Sequence, residues 1–184
     1  MASTPGRGSS REKLLDAAAD LISKSGVNEL TLEGVAAAAG VTKGGLIYHF
    51  KTKDELLGAV VERMLGHIDQ RQRAKAARRG DTTGALLQAM IDDTFGMSRK
   101  EKLLLTNLLA AATSYPHLLA PVQQIFERLY GEFADAGPHA GLALAVAAAL
   151  DGISLLELLN LHHFSKPQRD AMRQALQQLV QDLP

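Results

Sequence analysis

Apolar residues recur along this chain every three or four positions, and each run is bracketed by residues that start or stop helices. Leu14, Leu15, Ala18, Leu21 and Ile22 share one helical face. That run opens at Ser9, with Glu12 three residues on in a capping-box spacing, and closes at Gly26. Thr31 precedes a shorter run, Leu32, Val35, Ala36 and Ala39, which ends at Gly40. Thr42 caps a third short helix that turns Leu46 and Phe50 inward. Thr52 and Glu55 form another capping pair. They open a long helix with Leu56, Leu57, Val60, Val61, Met64, Leu65 and Ile68 on one side, which runs into the basic stretch 71–79 and stops at Gly80.

The rest of the chain is helical in pattern as well. Helices are predicted near 83–96, 99–113, 117–135, 138–163 and 167–182, with breaks at Gly96, Tyr115-Pro116, Gly137-Pro138 and Lys166-Pro167. The helix over 138–163 is apolar nearly all round, so most of its sides must be buried. The last helix has a stripe of Met172, Leu176, Leu179, Val180 and Leu183, with Gln and Arg opposite. No strand pattern and no repeat interrupts the series, so the fold class is all-α.

Composition changes this picture little. The 184 residues are 46% hydrophobic, with no Trp and no Cys, which excludes disulfides and thiolate chemistry. Residues 1–9 are polar, lack the apolar run of a signal peptide, and read as a flexible arm. The uncharged run Gly137–Leu150 reads as too short and too Ala-rich to span a bilayer, and Asp151 and Glu157 interrupt its continuation; a buried helix, with no membrane partner, is expected. Charge is more informative. The net charge is zero, yet residues 1–80 hold 13 Lys/Arg against 9 Asp/Glu and the remainder holds 7 against 11. A basic front suits a phosphate-bearing partner.

The chemistry concentrates in residues 31–57. Two short helices separated only by Gly40-Val41 are the pattern of a helix-turn-helix, whose second helix enters the major groove of DNA. That helix would present Thr42, Lys43, Gly44, Gly45, Ile47 and Tyr48 outward. Paired glycines let a backbone approach another surface closely, and Lys43 suits guanine or a phosphate. His49, Lys51 and Lys53 gather where phosphate contacts set the register, and Thr31 and Thr42 offer hydroxyls and free backbone N–H groups at helix starts. Each residue alone is as compatible with solvated surface, and Gly44-Gly45 alone with a plain loop. Caps and spacing together favour the DNA-binding unit.

The same residues resemble a known family. Segment 31–57, with its Thr-led helix, Ala39-Gly40-Val41, recognition helix and Tyr48-His-Phe-Lys-Thr-Lys-Asp-Glu-Leu56, resembles the DNA-binding domain of the TetR/AcrR family of bacterial regulators. The likeness is firm over residues 10–60 and extends further only as helix count, order and length. It implies DNA contacts at Thr31, Thr42, Lys43, Gly44, Ile47, Tyr48, His49 and Lys53. Two departures stand out: Ile47 lies where the family usually has an aromatic, and Glu33 where some members carry a basic DNA-contacting residue.

The resemblance also implies three regions: an arm over 1–9, the DNA-binding domain over 10–52, and a helical effector-binding and dimerisation domain over 53–184. In the last, Met64, His67, Ile68, Met90, Ile91, Thr94, Leu105, Leu109, Thr113, Phe126 and Tyr130 are candidates to line a pocket for a small hydrophobic effector, although at helical spacing they also read as plain core. Leu144, Ala148, Leu155, Leu159, Met172, Leu176 and Leu179 are the expected dimer contacts by family analogy. The partners implied are double-stranded palindromic operator DNA, one effector and a second copy of the chain, in a bacterial cytoplasm, with no cofactor and no metal. The long fourth helix is the expected lever between effector and DNA.

Enzymatic chemistry finds no footing. The six histidines include no pair at i,i+4, and no phosphate loop follows a strand. Asp92, Asp93 and Asp151 read as solvent or helix-end charges. Two alternatives to a repressor stay open: an activator of the same family, and a helical protein-interaction module whose DNA-binding head has lapsed.

Overall fold

The computed structural model describes residues 9–183, so all but the last residue of the expected arm lies outside the described residues. Among the described residues there are nine α-helices and no strand: α1 (Ser10–Ser25), α2 (Leu32–Ala39), α3 (Lys43–His49), α4 (Lys53–Ala77), α5 (Thr83–Gly96), α6 (Arg99–Ala111), α7 (Leu119–Ala134), α8 (Ala140–Leu158) and α9 (Lys166–Val180). The one clear boundary difference is α8, expected to reach 163. Asn160 takes a left-handed backbone (φ 54°), and the N–H groups of Leu161 and His162 both turn back to the Leu156 carbonyl. Asn can occupy this conformation at a helix end as Gly does. The apolar residues beyond it are therefore not helical.

The chain forms two compact units. One runs through Arg63 and takes in Leu103–Leu119; the other takes Met64–Lys102 and the chain from Ala120 onward. In the first, α1 packs against α2 and α3, and α2 against α3. Leu14, Leu15, Ala18, Ile22, Val35, Leu46, Leu56 and Leu57 are fully buried. Burying a Leu or Ile contributes about 1.5–3 kcal/mol, so a few such residues hold a three-helix head together. Arg63 of α4 ties back to α1 through Glu12 (3.1 Å) and Asp16 (2.8 Å). Glu12 is thereby diverted from Ser9, whose hydroxyl accepts from the Glu12 N–H at 3.3 Å: the start of α1 is half of the predicted box. From α6, the Asn107 amide donates to the Ile22 carbonyl at 2.7 Å.

In the second unit α5 packs between α8 and α9. Leu87, Ile91, Phe133, Ala143, Ala147 and Leu150 form its centre. Gly84 sets the closeness of α5 to the C-terminal end: a Cβ there would lie 2.4 Å from the Leu183 carbonyl oxygen and 3.0 Å from that of Val180. Backbone oxygens cannot swing aside as side chains can. Gly84→Ala should cost about 1–3 kcal/mol, and thermal unfolding followed by circular dichroism should show the midpoint falling by several degrees. An unchanged midpoint would mean that the end of α9 is not seated on α5.

Three carboxylates differ from the expectation of solvent or helix-end charges, and the first, Asp92, is half-buried between Arg79 (2.9 Å) and Arg173 (3.0 Å). Asp93 is buried, not a solvent charge, because Arg71 (2.9 Å) and Lys75 (2.5 Å) of α4 converge on it. Asp151 is half-buried and accepts from the Tyr130 hydroxyl at 2.6 Å. Burial pushes its carboxyl above the ordinary range, only partly offset by that hydrogen bond, and burial also pushes the Tyr130 hydroxyl up. The stretch 71–79 is likewise not a free basic patch. Arg71 pairs with Asp93 and Glu101, Arg73 with Asp69 and Glu132, and Arg79 with Asp92. Glu157 is held by Lys102 at 2.7 Å and by Arg169, and the two cations outweigh the upward push of burial to keep its carboxyl below the ordinary range.

Candidate nucleic-acid interface

The head is built by its caps. Thr31 Oγ1 accepts from the Gly34 N–H (3.0 Å) to start α2, and Thr42 Oγ1 from the Gly45 N–H (3.1 Å) to start α3. Each hydroxyl uses a lone pair in this way and keeps its proton to donate to a phosphate. Gly40 ends α2 at φ 64°, and the Val41 N–H returns to the Ala36 carbonyl at 2.9 Å. A Cβ at Gly40 would meet nothing within 4 Å, so glycine is required there by backbone angle rather than by space. After α3, Thr52 Oγ1 accepts from the Glu55 N–H (3.1 Å), while the Glu55 carboxylate accepts from the Lys51 N–H (2.7 Å).

The two adjacent glycines of α3 do different work. A Cβ on Gly45 would press on Val41 Cγ1 at 2.9 Å and Thr42 Oγ1 at 3.2 Å, so Gly45 serves the tight turn. A Cβ on Gly44 would meet nothing, and Gly44 leaves the outer backbone of α3 bare. Around it Thr31, Thr42, Lys43, Ile47 and Lys51 are exposed, and Tyr48 is 84% exposed. Lys53 is half-buried and donates to the Asn28 carbonyl at 3.4 Å.

Three contacts of the head are not singled out by the sequence reading. His49 is half-buried and its Nε2 lies 2.7 Å from Ser10 Oγ, which joins α3 to α1. Arg11 sits over the Phe50 ring, 5.5 Å from its centre. Lys43 Nζ lies 2.8 Å from Glu33 Oε1, across the turn. The hydrogen bond and charge of Lys43 hold Glu33 below the usual carboxylate range, and Glu33 in turn raises Lys43. The 39-residue separation hides the first of these contacts, while a charge search across the predicted turn would find the last.

The expected pocket residues are scattered. Met90 and Ile91 are buried in the core of the second unit, with Tyr130 packed against it. Phe126 is exposed and stacks on Tyr130 with centroids 5.9 Å apart. Thr94 lines a crevice of about 10 Å³ with Lys102, Ser154 and Glu157. Met64 and Ile68 are half-buried and His67 is exposed. Leu105, Leu109 and Thr113 belong to the first unit, where the Thr113 hydroxyl donates to the Ala110 carbonyl. A separate open cleft of about 510 Å³ lies between α5 and α9, lined by Gln88, Gln174, Gln177, Gln178 and others, and includes none of the expected residues.

The expected dimer residues separate into two groups. Leu176 is buried in its own core and Met172 packs against that core. Leu144 is half-buried and packs against the same core, whereas Ala148, Leu155, Leu159 and Leu179 are exposed. On α8 Gly141, Ala145, Ala148, Ala149, Leu155 and Leu156 are exposed along one face, with the half-buried Gly152 between them. The segment Gly137–Leu158, 22 residues long, is in fact long and apolar enough to cross a membrane by length and composition, since Asp151 and Glu157 do not end the helix. An apolar core helix passes the same test.

With this geometry in view, two family descriptions match the chain. "Bacterial regulatory proteins, tetR family" covers residues 14–60, and "Tetracyclin repressor-like, C-terminal domain" covers residues 84–181, more than half of the chain. The chain belongs to the TetR family. This TetR-family transcriptional regulator is 27% identical to the HTH-type transcriptional regulator BetI of Serratia proteamaculans, over 88% of this chain and 87% of BetI. Among solved structures it is similar to a TetR-family member from Streptomyces coelicolor A3 (28% identity, TM-score 0.68, 96% and 99% of the two chains). It is also similar to the multidrug binding protein EbrR complexed with ethidium (27% identity, TM-score 0.65, 95% and 99%). The family is made up of transcriptional regulators.

Proposed function

We propose that this protein is a homodimeric repressor that holds palindromic operator DNA in a bacterial cytoplasm and is released by a small effector. The observation that carries the reading is the open edge of the head. Thr31, Thr42 and Lys43 offer donors beside the bare backbone of Gly44, with Tyr48 and Lys51 exposed alongside. Donors of this kind fix a helix on phosphates and base edges, and a bare backbone lets it seat deeply. Lys53 and His49 lie at the margin and set the register.

A second copy supplies the symmetry. The exposed line on α8 begins in Gly141, Ala145 and Ala148 and ends in Leu155 and Leu156, and Gly152 also faces open space. Nothing in the packing of its own chain calls for a missing side chain at Gly141 or Gly152, whereas close approach of a partner helix does. A two-fold dimer presents two recognition helices about 34–36 Å apart.

The effector reading rests on a relative and on one polar pair. EbrR binds ethidium within the same fold, and the half-buried pair Tyr130–Asp151 beside Phe126 is a polar handle in apolar surroundings. An effector releases DNA only by binding the DNA-incompetent state more tightly. Selection of bound sequences from a random duplex pool tests the proposal. It should enrich one palindrome with half-sites about one helical turn apart; recovery of no common sequence would contradict it.

A further inference from the structure

The Lys43–Glu33 pair stands on the edge that faces DNA, and its purpose is not stability. An ion pair this exposed adds little to a fold, because water competes for both charges. The side chains are 70% and 64% exposed. What the pair does change is the chemistry shown to DNA. It ties the ammonium at the first position of α3 to a carboxylate on the first turn of α2. Their net charge is zero, so Lys43 is restrained from acting as a general phosphate clamp, and the carboxylate repels a phosphate brought near it. Together they present one donor and one acceptor side by side.

We propose that Glu33 is a specificity-determining residue, reading a G·C base pair in the major groove jointly with Lys43 and weakening binding to all other sequence. This inference rests on the DNA-binding reading above. Guanine shows the acceptors O6 and N7, which suit an ammonium, and cytosine shows the N4 donor, which suits a carboxylate. At that base pair both charges exchange their mutual contact for partners on DNA. At an A·T pair Lys43 finds only N7 on adenine in place of guanine's O6 and N7, and away from the base edges the pair stays closed and its carboxylate repels phosphate.

Parallel selections with the wild-type protein and Glu33→Gln identify the base pair, and salt-series titrations then measure it. Glutamine has nearly the same shape, carries no charge and suits adenine. Wild type should lose about 10- to 100-fold in affinity when G·C at that position is changed to A·T. Glu33→Gln should lose at least tenfold of that preference and bind non-specific duplex several-fold more tightly. Its non-specific salt dependence should steepen by about one unit per protomer as Lys43 reaches a phosphate. A thermal scan confirms that the exposed substitution leaves the fold intact. A uniform gain on every duplex with the G·C preference unchanged would overturn the inference, because the carboxylate would then only repel phosphate. Absence of wild-type binding to any duplex would overturn the DNA-binding reading itself.

Discussion

Leu155→Glu is expected to leave the chain folded, convert it to a monomer and reduce operator affinity by about 100-fold or more. Leu155 is 47% exposed, and its neighbours Ala148, Ala149 and Leu156 on α8 are exposed too. A charge at that position costs the isolated chain almost nothing, since water reaches it already. In a two-fold interface the same residue and its mate would be desolvated together without a counter-charge, and burial of unpaired charge is strongly unfavourable. The effect on DNA follows from linkage. Two heads joined through one interface bind as a unit, and uncoupling them typically forfeits about 10²–10⁴ in affinity without loss of any DNA contact. Light scattering after size exclusion gives the mass, and duplex titration gives the affinity. A variant that remains dimeric with full affinity would show that the partner copy sits elsewhere.

Gly44→Ala is expected to make the protein more stable and a worse DNA binder. The added methyl meets nothing within 4 Å, and residue 44 has no left-handed backbone to strain. Alanine exceeds glycine in helix propensity by up to about 1 kcal/mol, so the unfolding midpoint should rise slightly. On DNA the methyl stands between the backbone and the groove, and affinity should fall about tenfold or more. The opposite signs separate a recognition surface from a structural one. Gly45→Ala supplies the contrast, because its methyl must displace Val41 or the capping Thr42 and therefore costs stability first. If Gly44→Ala bound DNA as well as wild type, the bare edge of α3 would not be the contact surface.

The helices were legible because their signals are local. Ser9, Thr31, Thr42 and Thr52 each stand at a helix start and each caps with its hydroxyl. Gly26, Gly40 and Gly80 each stand just past a helix with positive φ. The end of α8 was missed because Asn160 does the work of a glycine there while the apolar spacing carries on through Leu159 and Leu161. Residues whose meaning depends on a distant partner were less legible. Asp93 reads as a surface charge in the sequence because Arg71 and Lys75, 22 and 18 residues away, converge on it only in the fold. The excess of cations in residues 1–80 overstated the phosphate-binding surface, because much of it belongs to α4 arginines paired with carboxylates of α4, α5, α6 and α7. Ligand chemistry was least legible, since residues such as Met90 and Ile91 look the same in a core as around a pocket.

Titration of the purified protein with a labelled duplex carrying the selected palindrome, beside a scrambled duplex and with Lys43→Ala in parallel across a salt series, measures the central property directly. The account predicts preferential binding by two protomers per site, a steep fall with salt, and loss of affinity with Lys43→Ala. Equal, weak and salt-sensitive binding to both duplexes, unchanged by Lys43→Ala, would contradict it.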